Sequence, residues 1–269
     1  MTLAIAWVRT VKGCQELLFA SDSRLCGGMR WDQCPKIMTL PRTDCAIAFA
    51  GETFYTYPLM LQLCNAISSY TRSQNGAMDI HDLRGHALKV FNSMCLEIHN
   101  ASDPDENKDI EILFGGYSWV RKKFSIWNFH YEVSERKIAY RTSRKSNGID
   151  HVIFAGDWAK IAKNRLNTLI REKYGYNLER YNGCGLDMEP FEVLRDLLRE
   201  NSSNVDETIG GPPQVVKVYQ HMNCKPIGVY WPDLSSNSPT ILGRPAFPFE
   251  TIDFWIMDPD TFRTKKHVV

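Results

Sequence analysis

Thr2 stands directly behind Met1. Removing that methionine leaves a residue with a nucleophilic hydroxyl and a free α-amine, whose ordinary pKa of about 7.7–8.0 lets it take a proton near neutrality. A threonine paired with its own N-terminal amine is one of the activated nucleophiles used for acyl transfer. Asp22, in FASDSR, and Lys36, in CPKIMTL, are charged residues with the chemistry to serve it. A carboxylate beside Thr2 holds a cation or orients the nucleophile. A buried lysine there lowers the proton affinity of the hydroxyl and the amine by like-charge repulsion and hydrogen bonding. Each also has a plainer reading: an aspartate after a strand is usually a turn residue, and a lone lysine is usually a solvated charge.

The elements around these residues decide whether they meet. Leu3 to Val8 and Gln15 to Ser21 are apolar runs joined by RTVKG, which predicts a β-hairpin turning at Gly13. Such a hairpin returns Asp22 to the neighbourhood of Thr2. Met29 to Leu40 and Cys45 to Gly51 predict a second strand pair, with Pro41 to Asp44 as its turn. Phe54, Tyr57, Leu61, Cys64 and Ile67 recur at helical spacing, as do Leu83, Ala87, Phe91, Met94 and Ile98, with Asp79 placed to cap the second helix. Strands follow at Ile110 to Tyr117, Lys123 to Phe129, Lys137 to Arg141 and His151 to Ala155. Trp158, Ile161, Arg165 and Leu169 mark a third helix; Phe191, Leu194 and Leu198 mark a fourth. Gln214 to Gln220 and Pro226 to Trp231 close the series. Strands and helices in blocks predict an α+β chain. A shift to Pro-, Ser- and Asn-rich sequence after Pro232 divides a domain at 1–231 from an arm or tail at 232–269, where Phe254, Trp255 and Ile256 need cover.

Bulk properties narrow the function. The chain has 269 residues, 43% hydrophobic and 23% charged, with net charge +1 and pI near 7.6. A chain of this length buries roughly 70–75% of its unfolded surface without staples. The charge balance argues against a dedicated nucleic-acid or anionic-membrane binder. No stretch approaches the roughly 20 apolar residues of a membrane span. TLAIAWV is short for a secretion signal, and Arg9 and Lys12 follow it, so a cytoplasmic chain is expected. The 8 cysteines are scattered with no C-x-x-C pair, which predicts free thiols. The histidines form no H-E-x-x-H pair, GCGLDM lacks the third glycine of a dinucleotide loop, and no G-x-S-x-G elbow occurs. The SDPDENKD stretch lacks the calcium-loop pattern, and the basic runs at 121–123 and 141–145 are expected to be solvated. No metal or cofactor is expected.

The run from Thr2 through FASDSR, CPKIMTL and AIAFAGE resembles the β subunits of the proteasome and their bacterial two-ring relative, within the N-terminal nucleophile hydrolases. ILFGGY and VDETIGG followed by PPQVVKVY extend the resemblance over roughly residues 2–231. It implies a four-layer α-β-β-α sandwich. It implies a catalytic set of Thr2, Asp22, Arg24 and Lys36, with Asp206 at the family offset from Gly210 and an oxyanion donor at the backbone of Gly51 or Glu52. Family offsets place Leu25, Cys34 and Met38 around the side chain preceding the scissile bond, a pocket for apolar residues. Ala155 and Ile209 stand where the family carries supporting serines, the first hairpin is longer, and the C-terminal arm has no counterpart.

The activity so implied is a threonine-type peptidase cleaving peptide amide bonds, active once Met1 is removed. Its expected partners are a peptide or unfolded-protein substrate, further copies in a homo-oligomeric ring and an ATP-driven unfoldase, with no nucleic acid and no membrane. Two other functions fit the same residues: a small-molecule amidase of the same chemistry, and a catalytically silent structural or regulatory subunit. The replacements at Ala155 and Ile209 favour silence; Thr2, Asp22 and Lys36 together favour catalysis.

Overall fold

The computed structural model describes residues 2–27, 29–98, 109–142, 152–175, 185–204 and 208–266. The chain opens on β1 (Ala4–Val11) and β2 (Cys14–Ser21), paired from Ala4 opposite Ser21 to Val11 opposite Cys14. Lys12 and Gly13 both take positive φ, 50° and 82°, as a two-residue hairpin turn of matching twist requires. The strand therefore runs three residues past the predicted Val8. β3 (Leu25–Cys26) and β4 (Arg30–Trp31) form a small sheet of their own. The long strand expected over Met29 to Leu40 is thus broken, and the next strand, β5 (Ile37–Thr39), starts after Pro35, which has no N–H to give a ladder.

β6 (Cys45–Gly51) leads into α1 (Thr53–Ser68), α2 (Thr71–Gln74) and α3 (Ile80–Leu96). Asp79 caps α3, its Oδ1 accepting the His81 N–H at 3.0 Å. The buried stripe of α1 is Thr56, Leu59, Met60, Leu63 and Ile67; the predicted Phe54 and Leu61 face outward instead. Ile98 lies beyond the end of α3. β7 (Ile110–Ser118), β8 (Lys123–Glu132), β9 (Lys137–Thr142) and β10 (Val152–Ala155) precede α4 (Ala159–Tyr174) and α5 (Glu189–Glu200). α4 buries Ala162, Leu166 and Ile170, one position on from the predicted stripe, and leaves Ile161 exposed. β11 (Gln214–Tyr219) and β12 (Asn223–Tyr230) follow, then β13 (Pro239–Ile241), β14 (Arg244–Pro245), β15 (Trp255–Met257) and β16 (Thr264–Lys266).

One sheet has nine strands. Its main path is β10-β1-β2-β11-β12-β13-β14, with β15 on β12 and β16 on β15. Every pairing in it is antiparallel except β12 with β15. A second sheet has five antiparallel strands, β5-β6-β7-β8-β9, and the third is the β3-β4 pair. The expected four-layer α-β-β-α sandwich of an α+β chain is corrected by this arrangement: the chain is mixed, dominated by a nine-stranded, largely antiparallel sheet, with two further sheets and five helices among the described residues. The reason lies in the segment after Pro232, which adds β13 to β16 to the large sheet rather than hanging from a finished domain.

Three apolar clusters hold the elements. Leu3, Ile5 and Trp7 of β1 pack with Leu166 of α4, Phe191 and Leu194 of α5, and Met257 of β15. Ile47 and Phe49 pack with Leu63, Phe91, Phe114 and Phe129. The third cluster draws on both large sheets, with Ala4, Ala6, Ala46, Ala48, Ala50 and Ala155 beside Phe19 and Val216. Small side chains there bring strand β1 close to β6, and so Thr2 close to the start of β5.

Candidate active site

Hairpin register places the first partner. Because Ala4 pairs with Ser21, Asp22 falls opposite Leu3. The Asp22 N–H donates to the Leu3 carbonyl at 3.3 Å, and the Leu3 N–H donates back to Asp22 Oδ1 at 3.1 Å. Lys36 immediately precedes β5. Its carbonyl accepts the Phe49 N–H at 3.0 Å, which fixes it against β6. Its Nζ lies 2.5 Å from Thr2 Oγ1 and 2.9 Å from Asp22 Oδ1. Thr2, Asp22 and Lys36 are all buried, at 1%, 0% and 0% exposure. The other carboxylate oxygen of Asp22 accepts the N–H groups of Arg24 at 3.1 Å and Gly210 at 3.3 Å.

Burial lowers the Lys36 pKa from its usual 10.5, with Asp22 opposing the fall through charge and hydrogen bonding. A lysine so placed takes up a proton less readily than a solvated one and is held against a hydroxyl. That is the arrangement a proton acceptor for Thr2 Oγ1 needs.

Arg24 is turned to a different task. Its Nε and Nη2 grip Asp32 at 2.7 and 3.1 Å, a bidentate pair that raises its pKa, and its Nη1 donates to the Asn204 carbonyl at 3.2 Å. A Cβ built on Gly210 would lie 2.3 Å from the Arg24 guanidinium carbon, so this glycine admits the side chain. Arg24 thereby braces the segment whose Gly210 N–H reaches Asp22. Asp206 lies outside the described residues, as does Met1.

The two oxyanion candidates separate. The Glu52 N–H donates to the Asp109 carbonyl at 2.8 Å. The Phe49 N–H points to Lys36, and strand alternation turns the Gly51 N–H to the same side. Gly51 holds φ at 98°, and a Cβ there would meet the Asp109 carbonyl oxygen at 2.4 Å. Of the expected pocket residues, Leu25 and Met38 are partly buried and each packs against the cluster that contains Phe49. Cys34 is 3% exposed, and its thiol is pushed up by burial. The Tyr57 hydroxyl donates to the Pro35 carbonyl at 2.8 Å, its ring meets Phe49 edge-on at 4.8 Å, and burial carries its pKa to about 12.

Ala155, opposite Ala4, belongs to the inter-sheet cluster, and Ile209 to the cluster of α4 and α5. Neither position brings a hydroxyl. The neighbouring Thr208 does, and its Oγ1 accepts the Trp158 indole N–H at 3.0 Å.

Two parts of the site escaped the sequence reading. Gln214, fully buried at the start of β11, donates through Nε2 to the carbonyls of Asp22 (3.1 Å) and Cys34 (2.8 Å) and to Ser23 Oγ (3.0 Å). Its Oε1 accepts the N–H groups of Lys36 (2.9 Å) and Ile37 (3.3 Å). One amide thus ties the Asp22 segment to the Lys36 segment. The available signal was a polar residue opening an apolar run, QVVKVY. Gly156 is the second: φ is 95°, a Cβ would fall 2.1 Å from the Thr2 carbonyl oxygen, and its N–H donates to Glu111 Oε2 at 2.6 Å.

Among the described residues, no group of three or more His, Cys, Asp or Glu side chains is placed to hold a metal ion, the cysteines are free, and no helix is long and apolar enough to cross a membrane. No protein-family model matches the chain, and no curated protein matches it.

Proposed function

We propose that this chain is a threonine-type peptidase of the N-terminal nucleophile class, and the contact of Lys36 Nζ with both Thr2 Oγ1 and Asp22 Oδ1 is the observation that carries the reading. Thr2 Oγ1 attacks an amide carbonyl and gives its proton to Lys36 Nζ, while Asp22 holds that amine in place. The Gly51 N–H receives the developing oxyanion, a contact worth about 3–4 kcal/mol in comparable sites. Collapse of the tetrahedral intermediate breaks the C–N bond, and the proton returns to the leaving amine. Water then attacks the ester, with the α-amine freed by loss of Met1 taking its proton; the acyl C–O bond breaks, that proton passes to Thr2 Oγ1, and the carboxylic acid product leaves. Leu25, Cys34 and Met38 favour an apolar side chain before the scissile bond. Rings of further copies and a separate ATP-driven unfoldase belong to the same proposal through the resemblance to proteasome β subunits.

A catalytically silent subunit is the second reading, favoured by the buried, hydroxyl-free side chains of Ala155 and Ile209. One experiment separates the two. Protein whose intact mass shows loss of Met1 is treated with an electrophilic probe that captures N-terminal threonine, and the adduct is mapped. A Thr2 adduct, absent from Thr2→Ala, is the expected result. Processed protein that stays unlabelled and cleaves no peptide overturns the peptidase reading.

A further inference from the structure

Glu111 is a carboxylate on the face that the two large sheets turn toward each other. It pairs opposite Ala50 of β6, a member of the inter-sheet cluster, so the two side chains share that face. A charged group there needs polar partners to offset its desolvation. Its Oε2 accepts the Gly156 N–H at 2.6 Å, and its Oε1 meets Asn128 Nδ2 at a long 3.5 Å. Gly156 forms the corner between β10 and α4, where its carbonyl accepts the Ala159 N–H at 3.0 Å. That corner is wedged between two parts of the candidate active site. A Cβ on Gly156 would lie 2.1 Å from the Thr2 carbonyl oxygen and 3.1 Å from Ala50 Cβ. On one side stands the residue that carries the nucleophile; on the other stands the residue before Gly51, the proposed oxyanion donor. The Glu111 carboxylate holds the wedge in place by a short, charge-assisted bond.

We propose that Glu111 is a positioning residue for the threonine peptidase, acting through the Gly156 N–H to set Thr2 against Gly51, an inference that rests on the peptidase reading above. Without its acceptor the Gly156 N–H is left unmatched beside the Thr2 carbonyl, and the corner shifts to find another partner. Thr2 Oγ1 and the Gly51 N–H then lose their common aim on one substrate carbonyl. A misplacement of about 1 Å in such a pair costs about 10²-fold in rate. Leu25, Cys34 and Met38, which receive the substrate side chain, lie away from this corner in sequence and in pairing, so the loss falls on kcat and spares KM.

Steady-state cleavage of a fluorogenic peptide amide with leucine before the scissile bond tests this, on Met1-processed protein below each variant's melting temperature. Glu111→Ala lowers kcat roughly tenfold or more and leaves KM within about twofold. Glu111→Gln keeps an oxygen for the Gly156 N–H, and Asn128 Oδ1, which has no hydrogen-bond partner among the described residues, can accept its amide N–H. This variant therefore recovers most of kcat. Glu111→Asp keeps the charge but falls short of Gly156 by one methylene, so it stays slow. A carboxylate that served stability alone would lower the melting temperature and leave the kcat of folded protein unchanged. Wild-type kcat in Glu111→Ala, a Glu111→Gln variant as slow as Glu111→Asp, or a loss confined to KM overturns the role of Glu111 while the peptidase reading stands. Processed wild-type protein that neither cleaves the peptide nor takes up the threonine probe overturns the peptidase reading and this role with it.

Discussion

At the scale of single residues, proton affinity and position govern the site. On the proposed peptidase reading, replacing Thr2 by Ala removes the nucleophile, and peptide turnover is expected to fall at least about 10³-fold with the melting temperature retained. On the same reading, replacing Lys36 by Met removes the proposed proton acceptor and is expected to cost about 10²–10⁴ in kcat. Its pH behaviour has a defined sign. Burial lowers the Lys36 pKa from 10.5, so between that lowered value and 10.5 the unfolded chain binds a proton that the folded chain does not, and stability rises with pH across this window. The proposed mechanism predicts a rate that rises with pH through the lowered value, as neutral Lys36 becomes available to Thr2. A pH–kcat profile whose acidic limb survives in Lys36→Met would remove Lys36 from the proton path. Gln214→Leu strands Lys36 N–H, Ile37 N–H and the Asp22 and Cys34 carbonyls; each buried group left unmatched costs about 1–3 kcal/mol. Its expected signature is a fall in kcat with KM little changed, measured below its reduced melting temperature.

At the scale of elements, strand register and close approach do the positioning. Asp22 reaches Leu3 because the hairpin turns at Lys12 and Gly13 and no later. Asp22, Lys36 and a hairpin returning toward Thr2 were legible in the sequence, since alternation and turn chemistry are local. The phases of α1 and α4 were not. Phe54 and Ile161 are apolar and helically spaced, yet both are exposed, because the facing sheets chose the neighbouring stripe. Gly156 was unreadable for the same reason: its close neighbour, the Thr2 carbonyl, is far away in sequence. Gly156→Ala puts a methyl carbon into that carbonyl and a non-glycine residue at φ 95°, which costs about 1–3 kcal/mol or more in strain and displaces Thr2. Denaturant unfolding and probe labelling should both report it; wild-type stability with wild-type labelling would contradict the contact.

At the scale of the whole molecule, the segment after Pro232 is part of the large sheet. Met257 completes the cluster of α4 and α5, Arg199 pairs with Asp260 at 2.7 Å, and the Leu242–Gly243 turn packs behind Ser23, where a Gly243 Cβ would meet Ser23 Oγ at 2.1 Å. A chain ending at Trp231 uncovers β12 and that cluster, and it is expected to aggregate on expression; a soluble fragment with the melting temperature of the full chain would contradict this. The amino-acid sequence by itself determined the chemical inventory: a threonine at position 2, a carboxylate and a lysine at the ends of apolar runs, and scattered cysteines, free among the described residues. Residue type and short-range periodicity are properties of neighbours along the chain. Tertiary structure alone decided that Lys36 touches Thr2, that Arg24 serves Asp32, that Gln214 joins two segments, and that nine strands form one sheet. Those outcomes depend on which buried groups meet across the fold, and burial is set by partners that no local pattern names.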